Sequence, residues 1–115
     1  MAPINNKPFL DYIFNYLNNQ GVTHVILSVY YKSEVIKQHY NYSYNGIKIT
    51  YSNDKIPLGT GGAIRAALIK SVNKNIIVIN GDTYFEAVLN KLMDTHINNN
   101  NDITLSLKPM TNFSR

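Results

Sequence analysis

A glycine-rich turn near the middle of the chain is the first group of residues suited to ligand binding. Residues 57–63 read Pro-Leu-Gly-Thr-Gly-Gly-Ala, after a strand-like alternation and before a helical pattern. Glycines let the backbone approach a ligand closely, and the first N–H groups of a helix point outward, where an anion or a base edge can accept hydrogen bonds. The same residues also suit a tight turn that needs only a positive φ.

A single carboxylate is the second candidate. Asp82 follows Asn80 and Gly81, directly after the apolar residues 76–79. In open α/β sheets, ligands bind beyond the carboxyl ends of the strands, and Mg²⁺ is commonly held by one or two carboxylates together with substrate phosphates. Taken alone, an aspartate after a strand is more often a turn or capping residue.

The other residue types that carry chemistry form no recognisable site. His24, His39 and His96 have no second ligand at metal-binding spacing, so structural roles are favoured for them. For the tyrosines between residues 40 and 51, half-buried structural positions are favoured over a surface on which bases stack. The chain has no cysteine, which excludes disulfides and thiolate metal sites.

Composition predicts a packed, soluble protein. Hydrophobic residues make up 44% of the 115 residues and charged residues 16%, which is ordinary for a globular chain. The net charge of +4 comes from scattered lysines and arginines, with no basic block for nucleic acid. No apolar run approaches the roughly 20 residues of a membrane span. We therefore expect a cytoplasmic protein with neither nucleic-acid nor membrane partners.

Periodicity predicts the elements that position these residues. Four helices are predicted: residues 8–19, a helix with Ser33 as its N-cap, a helix that Thr60 caps and that runs to residue 69, and residues 86–97. Four strands are predicted, at residues 23–29, 47–51, 75–80 and 103–107. This alternation predicts an α/β fold, with a mainly parallel, Rossmann-like sheet and helices on both faces. Because the pattern opens with a helix and stops after a strand, we expect residues 1–115 to form one partial domain. An open sheet edge and an exposed apolar face on the first helix should follow.

Three motifs together resemble a known family. Residues 8–12 (Pro-Phe-Leu-Asp-Tyr), 57–62 and 80–83 (Asn-Gly-Asp-Thr) occur in the order found in sugar-1-phosphate nucleotidyltransferases. Within that family the sequence is most similar to the mannose-1-phosphate and heptose-1-phosphate guanylyltransferase group. The resemblance covers essentially the whole chain. It implies synthesis of an NDP-sugar and pyrophosphate from a nucleoside triphosphate, GTP in that group, and a sugar 1-phosphate, for surface polysaccharide precursors.

The resemblance also implies roles for individual residues. The nucleotide-binding residues would be Leu58, Gly59, Thr60 and Gly61. Asp82 would hold magnesium, the implied cofactor, near the α-phosphate. The family further uses a Gly-x-Gly-Thr-Arg-Leu loop around the triphosphate and, in a later part, a second metal-binding aspartate and most sugar contacts; residues 1–115 contain none of these segments. We therefore expect these 115 residues alone to be almost inactive and to self-associate through exposed edges.

Two other interpretations stay open. In a dinucleotide-binding oxidoreductase fragment, Gly59 and Gly61 would belong to the phosphate-binding fingerprint and Asp82 would be the ribose-binding acid. The third glycine of that fingerprint would fall at position 64, which is isoleucine. The second alternative is a non-catalytic remnant or partner module that keeps the nucleotidyltransferase fold.

Overall fold

Four helices and two small sheets make up residues 3–112, the part of the chain that this computed structural model describes. In chain order the elements are β1 (Pro3–Ile4), β2 (Lys7–Pro8), α1 (Phe9–Asn19), β3 (His24–Val29), α2 (Ser33–Tyr40), β4 (Ser43–Tyr44), β5 (Ile47–Asn53), α3 (Gly59–Leu68) and α4 (Leu89–Asn98). The predicted α/β class is confirmed. No helix in this part of the chain is long and apolar enough to cross a membrane.

The larger sheet has three strands in the order β3-β5-β4. β3 and β5 run parallel, with His24 opposite Lys48 at one end and Val29 opposite Asn53 at the other. Parallel strands need a crossover, which the segment containing α2 supplies. β4 is antiparallel and pairs only with Ile47 and Lys48, at the start of β5. β1 and β2 form a separate antiparallel pair.

Helix α1 supplies the largest share of the core. Its apolar residues recur at helical spacing, and Ile13, Phe14 and Leu17 are buried, so the predicted exposure of this face is wrong. The reason is aromatic packing: the Phe14 ring lies 5.1 Å from that of Tyr40 and 5.4 Å from that of Tyr44. Over the described part of the chain, the buried apolar residues are Ile13, Phe14, Leu17, Val29, Tyr40, Ile47, Ile49 and Leu89.

The helix ends follow local backbone rules. Helix α1 ends at Asn19, and Gly21 follows it at φ +81. The N–H groups of Gly21 and Val22 donate to the carbonyls of Asn18 and Leu17, which satisfies two of the last helical acceptors. The predicted caps of the next two helices are wrong by one or two residues. Lys32, at φ 52, is the N-cap of α2, and Leu58 is the N-cap of α3.

The chain divides into two compact units, Met1–Tyr84 and Phe85–Arg115. In the second unit, α4 begins three residues after the predicted start of that helix. It ends at Asn98, and Asn100 follows in the left-handed region at φ 49, a backbone conformation typical of helix C-termini. The side chains of His96 and Asn101 both hydrogen-bond the Thr104 hydroxyl, at 3.0 and 3.1 Å.

Two predicted strands do not form. Residues 75–80 and 103–107 carry no strand, and their apolar side chains are exposed, with Val78 at 55% and Leu105 at 72%. A strand exists only when its backbone pairs with another, whatever its β propensity. Within residues 3–112, neither segment finds a partner edge, and β3 pairs with β5 alone.

Candidate functional site

The glycine-rich turn lies beyond the carboxyl ends of the two parallel strands. β5 ends at Asn53, and the next residue, Asp54, donates its N–H to the carbonyl of Val29, the last residue of β3, at 3.1 Å. Helix α3 then begins at Gly59. The predicted order of strand, turn and helix is therefore confirmed, at the edge of an α/β sheet where ligands usually bind.

Gly59 is required by its backbone conformation. Its φ is +69, in the left-handed region, and a β-carbon built there would meet nothing within 4 Å. An alanine would therefore be strained by its dihedral angle, although there is space for its methyl group. Leu58, the N-cap, makes no side-chain capping hydrogen bond, so it leaves the first N–H groups of α3 available for an external acceptor.

Gly62 has a different role. A β-carbon there would lie 2.8 Å from Cβ of Leu58, so glycine lets the Leu58 side chain lie over the first turn of α3. Leu58 is nevertheless 41% exposed, and Thr60 and Gly61 are also exposed. The four predicted nucleotide-binding residues thus form one exposed turn with an apolar side chain at its start.

Asp82 lies in a separate exposed turn. Its Oδ1 accepts a hydrogen bond from the Thr83 hydroxyl at 3.2 Å. Within residues 3–112, no hydrogen bond or ion pair joins Asp82 to residues 58–61. The strand that should precede it does not form, so its predicted place at a strand end is wrong. The two predicted parts of the site are each accessible, but no interaction couples them.

Asp82 fits one mode of magnesium binding. Over the described part of the chain, no three His, Asp or Glu side chains gather as a metal-binding group. A lone accessible carboxylate can still share Mg²⁺ with substrate phosphates, because Mg²⁺ keeps few protein ligands and fills its octahedron with phosphate oxygens and water. The magnesium role of Asp82 stays a prediction.

A buried polar cluster is the feature that the sequence did not reveal. The Tyr40 hydroxyl donates to Oδ1 of Asp11 at 2.6 Å, and Nε2 of His39 lies 3.8 Å from the same oxygen. Burial, and then the Asp11 hydrogen bond, raise the pKa of the Tyr40 hydroxyl far above its ordinary value. Tyr40 therefore stays a neutral donor and ties α2 to α1. An aspartate on an apolar helix face was the only signal, and its partner is 29 residues away.

Comparison with known proteins establishes the family. The model of the nucleotidyl transferase family matches residues 1–114. The chain therefore belongs to the nucleotidyl transferase family. It is 53% identical over all 115 residues to the D-glycero-alpha-D-manno-heptose 1-phosphate guanylyltransferase of Aneurinibacillus thermoaerophilus, of which it covers 50%.

Two relatives of lower sequence identity support the same family assignment. The chain is 37% identical over 108 residues to the mannose-1-phosphate guanylyltransferase of Mycobacterium tuberculosis, covering 93% of this chain and 30% of that protein. The crystal structure of HddC from Yersinia pseudotuberculosis, complexed with GMP-PN, superposes with a TM-score of 0.78 at 37% identity, over 84% of this chain and 44% of that one. The chain thus spans about half the length, or less, of the relatives it matches.

Proposed function

We propose that this chain supplies the nucleotide-binding part of a guanylyltransferase that joins GTP and a heptose or mannose 1-phosphate into a GDP-sugar with release of pyrophosphate. The observation that carries the proposal is the exposed glycine turn beyond the parallel strand ends, within a chain 53% identical to a heptose-1-phosphate guanylyltransferase. The activated sugar would serve the synthesis of surface polysaccharide precursors in the cytoplasm.

The turn would recognise the nucleotide with its backbone. Gly59 has its left-handed φ where α3 begins, and the N–H groups at the start of α3 can donate to an acceptor on the base or to a phosphate. The exposed side chain of Leu58 offers apolar surface to the flat face of a base. Because these contacts use backbone groups, Gly59 matters more to them than the Thr60 side chain.

The reaction is a transfer at the α-phosphorus. An oxygen of the sugar phosphate attacks in line, the bond from the α-phosphorus to the bridging oxygen breaks, and pyrophosphate leaves with that oxygen. Enzymes accelerate such transfers by positioning and by neutralising charge. Magnesium, when bound, would supply that neutralisation, and Asp82 is the residue of this chain that would hold it.

Nucleotide selectivity tests the proposal. Calorimetric titration of the 115-residue chain with GTP, CTP, UTP, dTTP and NAD should give a stronger signal with a nucleoside triphosphate than with NAD, because nothing in the turn is arranged for nicotinamide. Among the triphosphates we expect GTP to bind most tightly, because the chain is 53% identical to a guanylyltransferase. A preference for NAD would support the dinucleotide interpretation and refute the assignment of these residues.

Catalysis is tested in a chimera. Residues 1–115 would replace the aligned half of the Aneurinibacillus enzyme, and pyrophosphate release would be measured from GTP and sugar 1-phosphates. We expect the chimera to turn over and the 115-residue chain alone to stay at background. A folded but inactive chimera would favour the non-catalytic module. Robust turnover by the chain alone would contradict our account of the triphosphate loop.

A further inference from the structure

The outer edge of β5 is open over its second half. On its inner side, β5 pairs with β3 along six residues. On its outer side, β4 pairs only with Ile47 and Lys48, and the Ile49 N–H donates to the carbonyl of Tyr42 at 2.8 Å. Beyond Ile49, no strand among residues 3–112 covers this edge. An uncovered edge is a template for another strand.

The direction of the free backbone groups follows from alternation. Successive residues of a strand aim their N–H and C=O groups at opposite neighbours. Lys48 and Asp54 donate their N–H groups toward β3, to the carbonyls of Thr23 and Val29, at 2.9 and 3.1 Å. The odd-numbered residues therefore face outward. Tyr51 and Asn53 present two N–H and two C=O groups to the open edge.

A groove of about 770 Å³ runs along this edge. One wall is formed by Glu34 and Lys37, three residues apart on α2, and by Asn41, which follows the helix as its C-cap; the other wall is β5 itself. Tyr51 joins the walls, because its hydroxyl donates to the carbonyl of Asn41 and Nζ of Lys37 lies 5.8 Å from its ring centre. Lys48 lines the groove from the strand.

We propose that this groove binds an extended acidic peptide segment, which adds to the sheet as a further strand beside β5. The peptide backbone would pair with the outward groups of Tyr51 and Asn53, as in other cases of β-strand addition. Its acidic side chains would meet Lys48 and Lys37. Lys37 pairs with Glu34 at 3.5 Å, and an exposed pair of this kind is weak enough to exchange partners.

A single segment fits this edge better than a second copy of the chain. Two copies paired through β5 would run antiparallel about a two-fold axis, which places both α2 helices on the same side of the joined sheet. Paired strands lie about 4.8 Å apart, whereas packed helices need about 8–10 Å. Because α2 already borders the groove, a second α2 would collide with it, whereas a peptide without a flanking helix would not.

Two labelled eight-residue peptides test the inference on the 115-residue chain. In one, pairs of valines alternate with pairs of glutamates, and in the other with pairs of lysines, so that the charges lie on both faces of the added strand. Fluorescence anisotropy should show the acidic peptide binding at least tenfold more tightly. Amide hydrogen exchange should slow at Tyr51 and Asn53, whereas the Lys48 and Asp54 amides, which already pair with β3, should not change. Equal affinity for both peptides, or unchanged exchange at Tyr51 and Asn53, would refute the proposal.

Variants sharpen the test. Asn53→Pro removes an outward N–H and leaves the β3 ladder intact, so peptide binding should fall at least tenfold while the circular dichroism spectrum is unchanged. Lys48→Glu should weaken binding by a similar factor. Lys70→Glu makes the same charge change at an exposed residue outside the groove and should have no effect. If Asn53→Pro disturbs the fold, the two lysine variants decide.

The mass of the free chain in solution tests the alternative occupant. If the free chain has twice the mass of a monomer and Lys48→Glu restores the monomer, a second copy occupies the edge, and the proposal is refuted.

Discussion

Two regions of the first compact unit hold their residues in opposite ways. Around Asp11, Phe14 and Tyr40, each side chain is buried and in contact with another. The glycine turn at residues 58–61 and Asp82 are exposed, and backbone geometry or a neighbouring hydroxyl holds them. The first region builds the scaffold, and the second is accessible to ligands. Substitutions should therefore change stability in one region and ligand chemistry in the other.

The strongest test of that separation is Asp82→Ala in the chimera. Turnover should fall by about 10³-fold or more, roughly 4 kcal/mol, because the carboxylate would hold the metal. The melting temperature should not change, since the side chain is exposed. Asp102→Ala, which removes another exposed carboxylate, is the matched control and should keep full turnover. An active Asp82→Ala enzyme with normal magnesium dependence would leave Asp82 a turn residue.

Phe14→Ala should give the largest loss of stability. Phe14 is 1% exposed, and truncating a buried phenylalanine destabilises by about 3–5 kcal/mol through lost transfer energy and the cavity left behind. Urea denaturation followed by circular dichroism measures the change. Phe85→Ala, at a ring that is 38% exposed, should lose less than half as much. Equal losses would mean that the aromatic cluster is not the centre of the core.

Tyr40→Phe should lower stability by about 1–3 kcal/mol, because buried Asp11 loses the hydroxyl it accepts from. Tyr42→Phe, at an exposed tyrosine, should change nothing.

The loss of stability at alkaline pH is a second measurement of what Tyr40 contributes. Because burial and Asp11 raise the pKa of Tyr40 above its unfolded value near 10, its contribution is complete below about pH 10 and is lost as pH rises through the folded pKa. Stability should therefore fall between about pH 10 and pH 12 by more in the natural chain than in Tyr40→Phe, with a remainder from Tyr44 and Tyr51, whose pKa values burial also raises. An equal fall of stability in the natural chain and in Tyr40→Phe would contradict the raised pKa of Tyr40.

Gly59→Ala should have the smallest effect, about 1–2 kcal/mol, because a left-handed φ strains any residue with a β-carbon. Gly61→Ala is the matched control: its β-carbon meets nothing within 4 Å, and it should be neutral or stabilising by up to about 1 kcal/mol. Thermal denaturation of both variants measures the difference, and GTP titration should show weaker binding for Gly59→Ala. Identical behaviour would remove the conformational argument for Gly59.

The sequence predicted elements well where the pattern also finds a partner in the fold. Helices α1 and α2 and strands β3 and β5 begin within a residue of their predicted starts, because each has a clear period and packs: β3 pairs with β5, and α1 packs on the end of α2. Residues 75–80 have an equally strong strand pattern, but a period describes side chains and does not provide a paired backbone. The glycine turn was found by its motif. The Asp11 and Tyr40 pair was missed, because no local pattern joins residues that far apart.

Among residues 3–112, six residues other than glycine have a positive φ, and five of them are asparagines, namely Asn5, Asn6, Asn41, Asn45 and Asn100. Asparagine tolerates this conformation better than almost any residue with a β-carbon. Its codons are rich in adenine, whereas glycine codons are rich in guanine. A gene whose bases drift toward adenine and thymine can therefore exchange glycine for asparagine at such turns and keep the path of its chain.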